Sequence, residues 1–188
     1  ALQITPVSLY SGSPSNFAQA RFGASGLDSV GSQKDSGVGI AVAYRDKDQG
    51  IKADAGMSPI GFIYSTPVGG VSVSRPFEGS PDYSYGVSVS RRAVTDSQTS
   101  FAGSRDPRTG DKWGGVTANG VRGELSYDDQ SFGAYGYTSA HKLLGNNVDS
   151  NNRFELGSGV YWYLRNAPDS TLTLGVSGSA LTYTDNQD

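Results

Sequence analysis

From Val38 to Tyr183 the chain repeats one pattern, in which an apolar or aromatic residue alternates with glycine, serine, alanine or a charge. The run YSYGVSVS (83–90) shows it best: Tyr83, Tyr85, Val87 and Val89 fall on one side, and Ser84, Gly86, Ser88 and Ser90 on the other. Side chains of an extended strand point alternately to opposite faces. Each segment therefore builds a sheet with one apolar face and one small, wettable face. Two architectures use such a sheet: a transmembrane β-barrel with lipid outside and a watery lumen inside, and an antiparallel sheet with one face in bulk water.

Composition narrows the field without choosing between them. The 188 residues include 26 glycines, 11 tyrosines and no cysteine, with a net charge of -3. The charge gives no basic field for nucleic acid, and without cysteine there is neither a disulfide framework nor a thiolate metal site. The longest apolar run, VGIAVAY (38–44), falls short of the roughly 20 residues of a membrane helix but approaches the roughly 9–11 of a tilted barrel strand. The opening ALQITPVSLY has no basic segment and no long apolar core, so it is not a signal peptide, and a surface protein would need one upstream. The final TYTDNQD is a polar run just after a strand pattern, and both ends read as cut from a longer chain.

The pattern predicts about ten or eleven strands and no convincing helix. Early strands fall near Thr5–Tyr10 and Phe17–Ala24, followed by a turn region at Ser25–Gly37. Further strands are expected at Val38–Arg45, Ile51–Ser58, Ile60–Ser65, Gly70–Arg75 and Tyr83–Arg92. After a long polar insertion come Val121–Asp128, Ser131–Ala140, Arg153–Arg165 and Ser170–Thr184. Short strands with Asp- and Gly-rich turns such as DKDQG (46–50) imply an up-and-down meander.

Facing follows from phase. Val121, Leu125 and Tyr127 oppose Arg122, Glu124, Ser126 and Asp128. Ile51, Ala53, Ala55 and Met57 oppose Lys52 and Asp54, and Phe154, Leu156, Val160, Trp162 and Leu164 oppose Glu155, Gly157, Gly159, Tyr161 and Tyr163. Phase is lost near Ile63 and Leu181. Charges of both signs on one face would make a poor core for a soluble sandwich, because buried charges need pairing and their desolvation is costly.

Longer motifs point further. PVGGVSVSR (67–75), RRAVTDS (91–97), FAGSRDPRTGDKWGGVTANG (101–120), SYDD (126–129) and NNVDSNNRFELGSGVYW (146–162) together resemble the C-terminal outer-membrane β-barrel domain of the BcsC family, the exporters of bacterial cellulose. The resemblance spans most of the chain from about Pro59 onward. It implies an all-β, antiparallel up-and-down transmembrane β-barrel, present here in part, as about ten or eleven strands of a roughly sixteen-strand barrel. Residues 1–188 would then be a partial barrel domain, with upstream tetratricopeptide repeats and the last strands absent. The implied function is non-enzymatic export of cellulose, a β-1,4-glucan, across the bacterial outer membrane during formation of the biofilm matrix. The implied partners are the glucan chain, outer-membrane lipid and, through the upstream repeats, the periplasmic and inner-membrane subunits of cellulose synthase; no cofactor is implied.

A neutral, hydroxyl-rich, flat-faced polymer calls for a conduit with mixed hydrogen-bonding groups and aromatic faces, none of which holds too tightly. On that logic the pore-lining and glycan-contacting candidates are Arg21, Lys52, Asp54, Arg122, Glu124, Tyr135, Glu155, Tyr161 and Tyr163. Equally, the charged members brace the wall against itself. An anionic polymer would call for an arginine-rich lumen, whereas this set is balanced.

Other features carry less. Tyr44, Tyr64, Tyr127 and Trp162 fit an interfacial aromatic girdle, and His141, the single histidine, reads as a loop or strand-end residue. Asp128 and Asp129 are adjacent and so point apart on a strand. The run SRDPRTGDK (104–112) does not match an EF-hand spacing; its Arg105, Arg108 and Lys112 suit either anionic lipopolysaccharide or the pore. The alternatives are a soluble carbohydrate-binding or glycoside-cleaving β-sandwich, with Glu124 and Glu155 as its acidic pair, and a general diffusion porin.

Overall fold

The computed structural model describes residues 1–10, 33–105 and 109–185. Ten strands lie within them: β1 (Leu2–Tyr10), β2 (Lys34–Asp46), β3 (Ile51–Ile60), β4 (Pro67–Phe77), β5 (Ser80–Ala93), β6 (Ser104–Arg105), β7 (Lys112–Asp128), β8 (Phe132–Asn146), β9 (Val148–Ala167) and β10 (Ser170–Tyr183). A five-residue helix, α1 (Gln98–Ala102), precedes β6. One sheet joins the strands in the order β1-β2-β3-β4-β5-β7-β8-β9-β10, with β6 paired to the start of β7. Every pairing is antiparallel. The fold is the all-β meander that alternation predicts, and it is open rather than closed, since β1 and β10 do not pair with each other.

Register keeps the two faces separate from β2 to β9. Tyr44, Ala53, Val71, Val89, Val121, Ala140 and Phe154 follow one another in direct pairing from β2 to β9. A one-residue slip anywhere would move an entire strand to the wrong face. No second layer covers this apolar face among the described residues: Val176 is 70% exposed, Leu156 64% and Leu125 61%. The buried hydrophobic residues are only Phe62, Ala102 and Ala118 among those described, so the described residues build no ordinary core.

The little burial there is gathers at one end. Short turns (47–50, 78–79, 129–131 and 168–169) link strands at one edge of the sheet, while the 61–66 loop and the 94–105 segment occupy the other. There the Phe101 ring meets Phe62 edge-on at 5.2 Å, and the Tyr64 amide donates to the Ala102 carbonyl. Gln98 Nε2 donates to Asp35 Oδ2 at 2.5 Å, and Ser104 Oγ to Gln33 Oε1 at 3.0 Å. Asp35 pairs with Leu9 and is out of phase with the apolar Val38. The segment between β5 and β7 therefore folds back over the polar side of the strand ends as far as β2.

Several expectations need correction here. Ile60–Ser65 is not a strand: β3 ends at Ile60, and Gly61 at φ +111° turns the chain so that Phe62 is buried against Phe101. Tyr64 is consequently in a loop, beneath Gly103 and Gly115, and belongs to no girdle. The insertion is shorter than it reads, because Lys112 already begins β7. His141 lies within β8, paired with Gly120 and Arg153, rather than in a loop or at a strand end. The expected strand at Phe17–Ala24, together with Arg21 and Arg108, lies outside the described residues.

Candidate functional site: the ionic face of the sheet

The ionic face is organised by cross-strand bridges, each with glycine beneath it. Asp54 on β3 accepts from both terminal nitrogens of Arg92 on β5, with Nη2 2.6 Å from Oδ1. The intervening β4 presents Gly70 in register with Asp54 and Ser90. A Cβ there would stand 3.1 Å from Arg92 Nη2, so glycine keeps the path clear. Arg92 is absent from the sequence-based set, although extending the Ser84–Ser90 phase by one step would have found it.

Arg122, Glu124 and Glu155 meet in one network. Arg122 Nη2 donates to Glu124 Oε2 at 2.8 Å. Its guanidinium carbon sits 3.5 Å from the centroid of the Tyr137 ring, and the Tyr137 hydroxyl donates to Glu155 Oε1 at 2.7 Å. Both carboxylates thus have donors within the wall, as bracing requires. At the short-turn end, the Tyr161 and Tyr163 hydroxyls both donate to Asp128 Oδ2, each at 2.7 Å, and their rings meet edge-on at 5.6 Å. Asp129 points away and caps the turn instead, accepting from Ser131 Oγ at 2.6 Å and from the Phe132 amide at 2.8 Å. Lys52 stands apart, paired in register with Arg45 and Ser72.

The tyrosines lie flat. A Cβ added to Gly133 would come within 2.0 Å of the Tyr161 ring, one at Gly157 within 2.4 Å of Tyr137, and one at Gly159 within 2.7 Å of Tyr135. Each ring therefore rests over the bare backbone of the neighbouring strand instead of projecting away from the sheet. Arg122 covers the Tyr137 face. Tyr135, by contrast, makes no hydrogen bond to another described residue. Tyr137 escaped the sequence reading because its role depends on two strand registers that place it between Glu124 and Gly157.

The opposite, apolar face carries an aromatic belt beside the short turns. Phe77 and Tyr85 stand 5.2 Å apart, and Tyr83, Tyr127, Phe132 and Trp162 continue at successive ring separations of 4.8, 6.4 and 5.7 Å. Tyr127 and Trp162 of the expected girdle are in it. Tyr44 shares the apolar face at the level of Ala53.

A family model described as "Cellulose synthase operon protein C C-terminus" matches residues 1–188. Cellulose synthase operon protein C of Pseudomonas fluorescens strain SBW25 is 64% identical over the full chain, which spans 15% of that protein. The protein of the same name from Xanthomonas axonopodis pv. citri is 39% identical over 82% of the chain and 10% of its own length. That of Escherichia coli strain K12 is 36% identical over 78% of the chain and 12% of its length. The chain therefore spans about a seventh or less of these relatives, and it belongs to the family of C-terminal regions of cellulose synthase operon protein C.

Proposed function

We propose that this chain forms part of the wall of a transmembrane β-barrel in the bacterial outer membrane, through which a β-1,4-glucan leaves the cell. The observation that carries the reading is the continuous apolar face, exposed across nine strands with no layer over it among the described residues. Hydrocarbon is the medium that such a face suits, and the aromatic belt along the short-turn edge fits a membrane interface. Since outer-membrane barrels have short periplasmic turns and long external loops, this reading has the belt on the periplasmic side and α1 at the external mouth. In this arrangement residues 1–188 belong to a barrel domain that follows periplasmic repeats, and the repeats link it to the rest of the synthase.

A neutral polymer suits the opposite face. The charges of Arg92, Asp54, Arg122 and Glu124 are balanced within the wall, so these four neither hold nor repel a passing chain strongly. The flat rings of Tyr135 and Tyr161 offer faces on which a sugar ring can rest and slide. Among the expected lining residues, Asp54, Arg122, Glu124 and Glu155 shape and stiffen the wall, while Tyr135, Tyr161 and Tyr163 present surface to the glucan.

The test uses the intact protein, extracted from membranes and reconstituted in planar bilayers. It should require detergent, migrate differently on gels with and without heating, and conduct ions. Cello-oligosaccharides should interrupt the current, whereas oligomers of a uronic acid should not. A protein that stays in the aqueous phase, or a conductance blind to cello-oligosaccharides, would overturn the proposal.

A further inference from the structure

The apolar face ends abruptly on the loop side, and its last step is basic. One register row runs Val89, Val121, Ala140, Phe154. The next row in the same phase, one step nearer the long loops, runs Arg91, Asn119, Lys142, Asn152 in direct pairing across β5, β7, β8 and β9. Four consecutive strands thus change together from apolar to amide or cationic.

Arg91 is fixed in place. Its Nε donates to the Pro67 carbonyl at 2.9 Å and Nη1 to Asn119 Oδ1 at 3.3 Å, while Nη2 has no partner among the described residues. Asn119 is held in turn, since its Nδ2 donates to the Thr117 carbonyl at 3.1 Å and the Lys142 carbonyl at 3.3 Å. The Lys142 ammonium makes no ion pair or hydrogen bond to a described residue, and β7 alone separates its strand from that of Arg91. At about 4.8 Å per strand, the two Cα atoms are about 10 Å apart, a gap that two long side chains can close around one anion.

We infer that the row of Arg91, Asn119, Lys142 and Asn152 is a binding site for the phosphorylated headgroup of a membrane lipid, whose acyl chains lie on the Val89–Phe154 row beside it. This inference rests on the membrane-spanning reading above. A guanidinium with two anchored nitrogens offers preset donors to a phosphate, and the lysine adds a mobile charge. The two amides extend hydrogen bonding to sugar or glycerol hydroxyls of the headgroup. Lipid, rather than a soluble anion, is the occupant because the row adjoins the exposed apolar strip and lies on the face opposite the ionic one.

The experiment uses the intact protein, purified in a non-ionic detergent and shown to be folded by heat-dependent gel migration. Two probes are added and retained lipid is read by native mass spectrometry: lipid A carrying both phosphates, and the same lipid with both removed. Bisphosphorylated lipid should be retained in preference. The double substitution Arg91→Ala/Lys142→Ala should weaken its retention about 30-fold, from roughly fivefold per basic residue near an anionic lipid surface. The substitution Lys47→Ala, in the short turn at the opposite edge of the sheet, should not. Equal retention of the two lipids by folded wild-type protein overturns the inference without needing any variant to fold. Displacement by millimolar inorganic phosphate makes the row a simple anion site and overturns it as well. A protein that never inserts into a membrane fails the earlier proposal instead.

Discussion

The Arg122 guanidinium carbon lies 3.5 Å from the centroid of the Tyr137 ring, so the cation is stacked on the phenol while one of its nitrogens binds Glu124. Arg122 is 39% exposed and Glu124 41%, and an ion pair this open contributes about 0–1 kcal/mol. The stacking adds about 0.5–1 kcal/mol. Arg122→Gln should therefore lower the urea resistance of the folded intact barrel by about 1 kcal/mol. In a double-mutant cycle with Tyr137→Leu, at least half of that loss should appear as coupling. Independent effects of the two substitutions would show that the stack contributes nothing.

Glycine on the ionic face makes room for rings, whereas Gly123 and Gly178 on the apolar face do not, so substitutions should differ sharply. Gly157→Ala puts a Cβ 2.4 Å from the Tyr137 ring, whereas a Cβ at Gly123 or Gly178 meets nothing within 4 Å. Overpacking of this kind costs about 1–3 kcal/mol, so Gly157→Ala should destabilise by that much. Gly123→Ala should be neutral or slightly stabilising, because a strand residue gains less freedom in the unfolded chain. Equal effects in equilibrium unfolding would contradict the flat-ring geometry.

The facing of these residues was legible from period-two alternation alone, because Arg122, Glu124 and Glu155 each sit one residue out of phase with an apolar neighbour. Register was not. That Tyr137 rests on Gly157, or that Gly70 clears a path between Asp54 and Arg92, depends on pairings set by turns and bulges. The start of β7 was hidden for a related reason: Gly114 and Gly115 both have positive φ, at 104° and 61°, and the bulge between Gly114 and Thr117 breaks the alternation. Ile60, Phe62 and Tyr64 alternate like a strand, yet contacts with Phe101 and Gly103, some forty residues on, bend them into a loop. Local pattern is silent about such partners.

Asp129 predicts an acid-sensitive turn. Its carboxylate accepts from the Ser131 hydroxyl and from the Phe132 and Ser131 amides, which hold its pKa well below the usual carboxylate range. Because the folded value is the lower one, the stabilisation is complete above the unfolded value of about 3.9 and fades as pH falls towards the folded value. Asp129→Ala should thus separate from wild type in urea unfolding at pH 7, with the two curves converging in strong acid. A gap of constant size across that range would mean the turn gains nothing from ionisation.

Tyr135 separates a platform from a brace. Its ring lies on Gly159 and its hydroxyl has no partner among the described residues, whereas the Tyr163 hydroxyl is bound to Asp128. If the face is what the glucan uses, Tyr135→Phe keeps it and should leave cellulose release per folded barrel unchanged in cells. Tyr135→Ala removes it and should lower release roughly three- to tenfold, the scale of one aromatic contact of about 0.5–1.5 kcal/mol. Tyr163→Phe should instead act on stability, by about 1.5–3 kcal/mol for a lost hydrogen bond to a charged group, with release following the amount of folded barrel. Loss of release in Tyr135→Phe, with folded barrel at wild-type level, would assign the work to the hydroxyl rather than to the ring face.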